Sequence, residues 1–327
     1  MILAGDVGGT KAVLALCDAE LSIRRQDVFA CADHASLESV LDAFLLPADR
    51  PSLTAACFGV AGPVVAGTAK ITNLPWTIDA AQLAARLGGI PVALLNDLQA
   101  TALGTLVLPD MTFAVLQAPA AARAPDATIA VLAPGTGLGE ALLVSDGAHY
   151  RALPSEGGHA DFAPGTDEEI ALLRYLHERY GDHVSYERVL SGAGIGNLYD
   201  FLRHSTGAAE PAWLTAAADR NAAISQAALD GTDPACARAL ELFAEILGAE
   251  AGNLALRGLA SGGVVIGGGI PPKILPALQH RRLIDRFNAK GRFAPWTRSL
   301  AVRVALEPRA ALFGAANYAV NYKDARP

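Results

Sequence analysis

No block of lysine or arginine occurs anywhere in the 327 residues, and the formal net charge is −7. A nucleic-acid-binding face needs concentrated positive charge, so nucleic acid is not an expected partner. No uninterrupted apolar run reaches the roughly 18 residues that a membrane-spanning helix needs. The longest apolar stretch, Thr128 to Val144, is broken by Pro134, three glycines and Glu140. No basic segment precedes the first apolar residues of MILAGDVGGT, so neither a signal peptide nor a membrane partner is expected. The four cysteines, Cys17, Cys31, Cys57 and Cys236, form no CxxC pair. Zinc needs clustered ligands, and these thiols are scattered. Buried, reduced thiols in a cytoplasmic protein are the expectation. Charge is also scarce: 18% of residues are charged against 52% apolar. That is the composition of a folded chain with a large core, and the length suits two domains.

What is present alternates between strand and helix. Ile2 to Asp6, Ala12 to Leu16 and Ile23 to Phe29 read as an antiparallel meander whose first turn is glycine-rich. Ser36 to Leu46 has helical spacing with Ser36 as its cap. Ala55 to Val60 reads as a buried strand, Thr77 to Leu87 as a helix, and Val92 to Leu95 as a strand with a helix from Leu98. The Pro/Ala-rich stretch from Leu108 to Ala127 reads as a domain crossing. The opening pattern then returns: LAGDVGGTKAVLAL and VLAPGTGLGEALLV echo each other. Two related domains would produce such an echo, and so would chance in an Ala/Gly-rich chain. The second half reads as helices near Glu168 to Tyr180, Glu187 to Leu190, Ile195 to His204, Trp213 to Leu229 and Pro234 to Leu259. Strands at Gly262 to Ile266 and Ala301 to Leu306 and a closing helix from Ala310 to Tyr318 follow. The alternation implies an α/β fold with mixed sheets.

Several glycine turns invite a phosphate reading. Gly5-Asp6-Val7-Gly8-Gly9-Thr10-Lys11 misses the P-loop pattern, because Thr10 stands where the second glycine belongs and a strand follows instead of a helix. Its exposed amides still suit a phosphate, and Asp6 suits a hydrated Mg²⁺; an ordinary hairpin turn accounts for the same residues. Gly135-Thr136-Gly137-Leu138-Gly139 fails the dinucleotide fingerprint at Glu140, and Gly192-Ala193-Gly194 fails it at Asn197. Gly192 to Gly196 and Gly267 to Gly269 each precede a helical pattern, where a nucleotide can approach the backbone. Asn96-Asp97 follows a strand, so Asp97 suits either a base for a sugar hydroxyl or a helix N-cap. Glu156 and His159 suit hydroxyl recognition, or an exposed Glu beside a satisfied His. Glu187 opens a helix, where a carboxylate already suits the dipole.

Taken in order, the motifs GDVGGT (Gly5 to Thr10), GVAGPV (Gly59 to Val64), TNLPW (Thr72 to Trp76), ND (Asn96-Asp97), GTGLG (Gly135 to Gly139), EGGH (Glu156 to His159), ERVLSGAGI (Glu187 to Ile195) and GGGI (Gly267 to Ile270) resemble the bacterial glucokinases. The resemblance covers nearly the whole chain, and it matches the branch without a Cys/His zinc cluster. It implies a two-domain actin-like ATPase (ribonuclease H-like) fold with a central cleft. The small domain would hold residues 1–108, completed by 308–327, and the large domain residues 109–307. The implied activity is ATP-dependent phosphorylation of glucose with Mg²⁺, in a cytoplasmic homodimer. The resemblance makes Asp97 the catalytic base and gives the sugar to Asn96, Asp97, Glu156, His159 and Glu187. It gives ATP to Gly5, Asp6, Val7, Gly8, Gly9, Thr10, Gly135, Thr136, Gly137 and Gly268, with Asp6 reaching the ATP-bound Mg²⁺ through water. Two positions depart from that family's pattern: Lys11 stands where Asn is frequent, and Leu98-Gln99 follow the Asn-Asp pair where an aromatic is common. A kinase of another hexose, such as mannose or an N-acetylated amino sugar, stays open, as does a non-catalytic actin-like ATPase.

Overall fold

The computed structural model describes residues 1–71, 74–207 and 209–321, so Thr72 and Asn73 of the TNLPW motif lie outside the described residues. The chain separates into two compact units. The first takes Met1–Thr112, Leu143–Pro154 and the segment from Glu307; the second takes Phe113–Leu142 and Ser155–Leu306.

The first unit opens with β1 (Ile2–Val7), β2 (Lys11–Cys17) and β3 (Ile23–Ala30), then α1 (Leu37–Phe44) and β4 (Ala55–Val60). A small three-stranded sheet follows, made of β5 (Val64–Val65), β6 (Thr68–Lys70) and β7 (Thr77–Asp79). Then come α2 (Ala80–Arg86), β8 (Val92–Asn96) and α3 (Asp97–Gly104). The main sheet runs in the order β3-β2-β1-β4-β8. β1 pairs antiparallel with β2 and parallel with β4, and β4 pairs parallel with β8. Every residue of β4 is buried, as expected of a strand covered on both faces. Leu37, Val40, Leu41 and Phe44 of α1 share one core cluster with Leu3, Leu14 and Phe58 of the sheet.

The second unit begins with β9 (Phe113–Gln117), β10 (Ile129–Pro134) and β11 (Leu138–Ser145), followed by β12 (Tyr150–Ser155), although β11 from Leu143 and all of β12 but Ser155 group with the first unit. Helices α4 (Asp167–Tyr180), α5 (Gly192–Thr206), α6 (Ala212–Thr215), α7 (Arg220–Leu229) and α8 (Pro234–Arg257) follow. The unit ends with β13 (Val264–Ile266), α9 (Leu275–Leu278), α10 (Arg281–Asn288), α11 (Ala294–Arg298) and β14 (Val302–Ala305). Its sheet runs β12-β11-β10-β13-β14-β9, with β10, β13 and β14 parallel and β9 antiparallel to β14. The first five strands repeat the order of the other sheet, with β10 in the place of β1. The sequence echo is therefore a true duplication of topology, the arrangement expected of the actin-like fold.

The chain closes with α12 (Ala310–Asn321), which packs on β1, β4 and α3 of the first unit. Two glycines make the α3–α12 approach possible. A Cβ on Gly104 would sit 1.9 Å from the Ala310 carbonyl oxygen, and one on Gly314 would sit 1.7 Å from that of Ala100.

Several expected elements have different bounds. Thr77 to Leu87 is not one helix: Thr77–Asp79 joins the small sheet, and extended Asp79 starts α2 by accepting the Gln82 amide at 2.9 Å. Trp213 to Leu229 breaks into α6 and α7, because Asp219 caps the Ala222 amide at 3.0 Å. Both breaks follow from the competition that an Asp side chain offers to the helix ladder. Glu187 lies in a single 3-10 turn, Tyr186–Arg188, and opens no longer helix. The Leu108 to Ala127 stretch contains β9, whose FAVLQ run is apolar enough for an edge strand despite its Pro/Ala surroundings. Glycines 192 to 196 lie inside α5 and do not precede it; Ser191 caps it by accepting the Gly194 amide at 3.0 Å.

Candidate active site

In the first unit, β1, β4 and β8 are adjacent, parallel and end at the same edge, with Val7 opposite Val60 and Val60 opposite Asn96. In open α/β sheets ligands bind beyond such carboxyl ends. Asp6 sits there at the end of β1, beside the Gly8-Gly9 turn, which the Gly8 amide closes onto the Lys11 carbonyl at 2.9 Å. Close packing dictates glycine at two nearby positions. A Cβ on Gly5 would meet the Phe58 ring at 2.4 Å, and one on Gly59 would meet the Ala100 Cβ at 2.8 Å.

Asn96 and Asp97 share the work at the start of α3 differently from the sequence reading. The N-cap is Asn96. Its side-chain oxygen accepts the Leu98 amide at 2.9 Å and the Gln99 amide at 3.4 Å, and its own backbone amide donates to Gln99 Oε1 at 3.1 Å. Asp97 is the first helical residue; it is exposed, and its Oδ1 accepts the Leu98 amide at 2.8 Å. Gln99 also donates to the Ala152 carbonyl at 3.1 Å, tying α3 to the 143–154 hairpin within the same unit. By sequence Gln99 is only a departure from a pattern; the capping-box spacing of Asn96 and Gln99 is the signal that identifies its role.

The electrostatics of this edge single out Asp6. Burial first, and the nearby Asp97 charge second, push its carboxyl up to about 6, against the opposing pull of Lys11. Paired carboxylates of this kind attract a hydrated cation, and an oxygen-only donor set beside a glycine turn suits Mg²⁺. Asp6 is the residue that fits such an ion. Among the described residues no cluster of three or more His, Cys, Asp or Glu side chains forms a protein-only metal site.

In the second unit three glycine segments meet at the carboxyl ends of β10 and β13. The Gly135 amide closes the first turn onto the Gly137 carbonyl at 2.8 Å. The Gly192 amide, first in α5, donates to the Gly135 carbonyl at 2.9 Å. Gly267 donates to the Leu132 carbonyl at 2.7 Å, and Gly268 adopts φ +87° with its α-carbon so near Pro134 that a Cβ would lie 2.4 Å from the Pro134 carbonyl oxygen. Glycine turns without side chains beside a helix N-terminus together make a surface that polyphosphate can approach closely.

The Glu156, His159 and Glu187 positions are brought together in this same unit. Glu156 precedes the 3-10 turn Gly157–His159 and is exposed; its carbonyl accepts the His159 amide at 2.9 Å. That turn is laced to the Tyr186–Arg188 turn by the Tyr186 amide on the Ala160 carbonyl at 3.0 Å and by an Asp161–Ser185 bridge. Glu187 Oε2 accepts the Leu138 amide at 3.0 Å, and Gly137 has room for no side chain against that carboxylate. Strand β11 thus carries the glycine turn at its start and supports both acidic turns along its length. The predicted nucleotide residues Gly5 to Thr10 and the Asn96-Asp97 pair lie in one unit; Gly135 to Gly137, Gly268, Glu156, His159 and Glu187 lie in the other.

Residues 3–322 match the family profile described as Glucokinase. The chain is 40% identical to the glucokinase of Nostoc punctiforme, over 97% of this chain and 98% of that one. It is 38% identical to the glucokinase of Synechocystis, over 96% of each chain. Among solved structures, a glucokinase from an Antarctic psychrotroph superposes with a TM-score of 0.86 at 33% identity, covering 98% of both chains. A ROK family glucokinase from Streptomyces griseus, solved with glucose and AMPPNP, shares the fold at a TM-score of 0.64 and 21% identity, covering 97% of this chain and 98% of that one.

Proposed function

Because the chain belongs to the glucokinase family, we propose that it phosphorylates glucose with ATP through Asp97, acting as base on the sugar hydroxyl that becomes the 6-phosphate. The observation that carries this reading is the division of labour at Asn96-Asp97. Asn96 satisfies the α3 amides, so Asp97, an exposed carboxylate at the strand edge, is not needed as the cap. Phosphoryl transfer asks the protein chiefly for positioning and charge stabilisation, and a placed base adds a factor on the order of 10² to 10⁴.

The remaining roles follow the same reading. Asn96, Glu156, His159 and Glu187 hold the sugar hydroxyls. The backbone of Gly5 to Thr10 and of Gly135 to Gly137, with Gly268, lies against the nucleotide. Asp6 holds the Mg²⁺ of MgATP through water, and Lys11 beside it faces the same charges. Bound Mg²⁺ supplies neutralisation of the phosphate charge during transfer. The two units are the two domains of the catalytic machine. All four cysteines are buried and free, which supports work in a reducing cytoplasm. A homodimer feeding glycolysis completes the reading by family resemblance. No described helix is long and apolar enough to cross a membrane.

The test is ADP release by the purified protein with a panel of hexoses. Turnover should be highest with glucose and should vanish when Mg²⁺ is chelated. Turnover that favours mannose or an N-acetylated amino sugar over glucose would refute the assignment.

A further inference from the structure

Glu140 follows the GTGLG turn on β11 and is 1% exposed. Neither of its carboxylate oxygens has a hydrogen-bond partner. A buried carboxylate without donors is costly, so such a group is retained neutral or retained for a purpose. Its surroundings give the purpose. A side chain at Gly157 would begin 2.2 Å from Glu140 Oε2, so the carboxyl lies directly under the first residue of the Gly157–His159 turn. The Glu140 carbonyl accepts the Ser155 hydroxyl at 3.0 Å, and Ser155 Oγ in turn accepts the Gly157 amide at 3.1 Å. One residue further on, Gly158 rests on the Leu138 carbonyl, where a Cβ would be 2.1 Å away. The turn that presents Glu156 and His159 therefore stands on Glu140.

Among the described residues no cation is bonded to Glu140. The nearby charged groups are Glu250 and Arg257 of α8. Arg257 is bound to Glu250 at 2.6 Å, Asn253 also donates to Glu250 at 2.9 Å, and Lys290 donates to Asn253 at 2.6 Å. The adjacent Tyr186 hydroxyl accepts from Asn253 at 3.1 Å. Burial, and then the Glu250 charge, push Glu140 up to about 7, with Arg257 pulling the other way.

We propose that Glu140 is a positioning residue for glucose: as a neutral acid it supports the Glu156–His159 turn, and its ionisation draws water beneath Gly157 and releases that turn. The proposal rests on the assignment of Glu156 and His159 to the sugar. It separates the two substrates, because the turn serves glucose and not ATP.

The experiment measures glucose KM, ATP KM and kcat from pH 6 to pH 9 for the wild type and Glu140→Gln. The wild-type glucose KM should rise several-fold or more across that range, with ATP KM nearly constant. Glu140→Gln, neutral and of the same shape, should hold glucose KM near the low-pH wild-type value throughout. His159 stays in place in this variant, so a rise that persists in Glu140→Gln overturns the proposal, as does a flat wild-type profile. Amide hydrogen exchange of Gly157, His159 and Ala160 in the wild type supplies a readout independent of turnover. Protection, corrected for intrinsic exchange, should fall between pH 6 and 9; unchanged protection overturns the proposal. Absent glucose turnover at every pH would instead defeat the kinase assignment, leaving exchange to decide the role of Glu140.

Discussion

Asp97 lies close enough to Asp6 for its charge to be the second cause, after burial, that lifts the Asp6 carboxyl to about 6. Asp6 lies near the end of β1 and Asp97 directly follows β8, two strands that β4 separates in the sheet. Under the proposed roles, their coupling makes the metal-side residue sensitive to the base.

Asp6 protonates as pH falls through about 6, and a protonated acid no longer suits hydrated Mg²⁺. The KM for MgATP should therefore climb below pH 6 while glucose affinity changes less. Asp6→Asn should show the weak MgATP binding at all pH values. An MgATP KM that is flat from pH 5 to 8 in the wild type would contradict the placement.

Asp97→Asn should fold with a melting temperature near that of the wild type. Asn96 carries the cap, and the introduced carboxamide keeps an oxygen for the Leu98 amide. Its kcat should drop by roughly 10² to 10⁴, the worth of a positioned base. Calorimetry should find glucose affinity within a few-fold of normal. Near-normal turnover would remove Asp97 from the chemistry.

Glu140 also has a stability signature. The unfolded carboxyl loses its proton near its ordinary value of 4.5 and the folded one near 7. Unfolding between those values releases a proton, so stability should fall as pH rises from about 4.5 to 7 and level off above. The full effect is roughly 3 kcal/mol for this fully buried group. Denaturant melts at pH 5 and pH 8 should reveal that loss in the wild type and a smaller one in Glu140→Gln.

Gly314→Ala should separate α12 from α3, because the new Cβ would start 1.7 Å from the Ala100 carbonyl oxygen. Overpacking of this kind costs about 1–3 kcal/mol or more. Urea melts should register that loss, and activity should fall with it, because Asn96 and Asp97 stand at the start of α3. An unchanged midpoint would mean that the helices part easily.

The strands and the longer helices are legible in the sequence because their apolar runs are continuous or periodic, as in β4 and α4. Glycine turns at Gly8-Gly9 and Gly135-Gly137 are legible as turns, and their order in the chain carries the family resemblance. The breaks at Asp79 and Asp219 escape a periodicity reading, because capping is decided by a single side chain. Glu187 reads as a helix opener, since nothing in its neighbours announces a bond to the distant Leu138 amide. Glu140 stands out by sequence only as the residue that spoils a fingerprint. Its burial under Gly157 depends on two segments meeting, which no local pattern records.

The close seat of α12 on α3 also governs how the protein comes into being. α3 ends at Gly104 and its partner begins at Ala310, about 200 residues later in the chain. At a ribosomal pace of about 5–20 residues per second, the half-made first unit waits roughly 10–40 s for that helix. Throughout that interval the face of α3 that bears Ala100 and Gly104 lacks its partner helix, while the second unit emerges and can already fold. Synthesis therefore reverses the order of the chain: the unit that starts first is finished last.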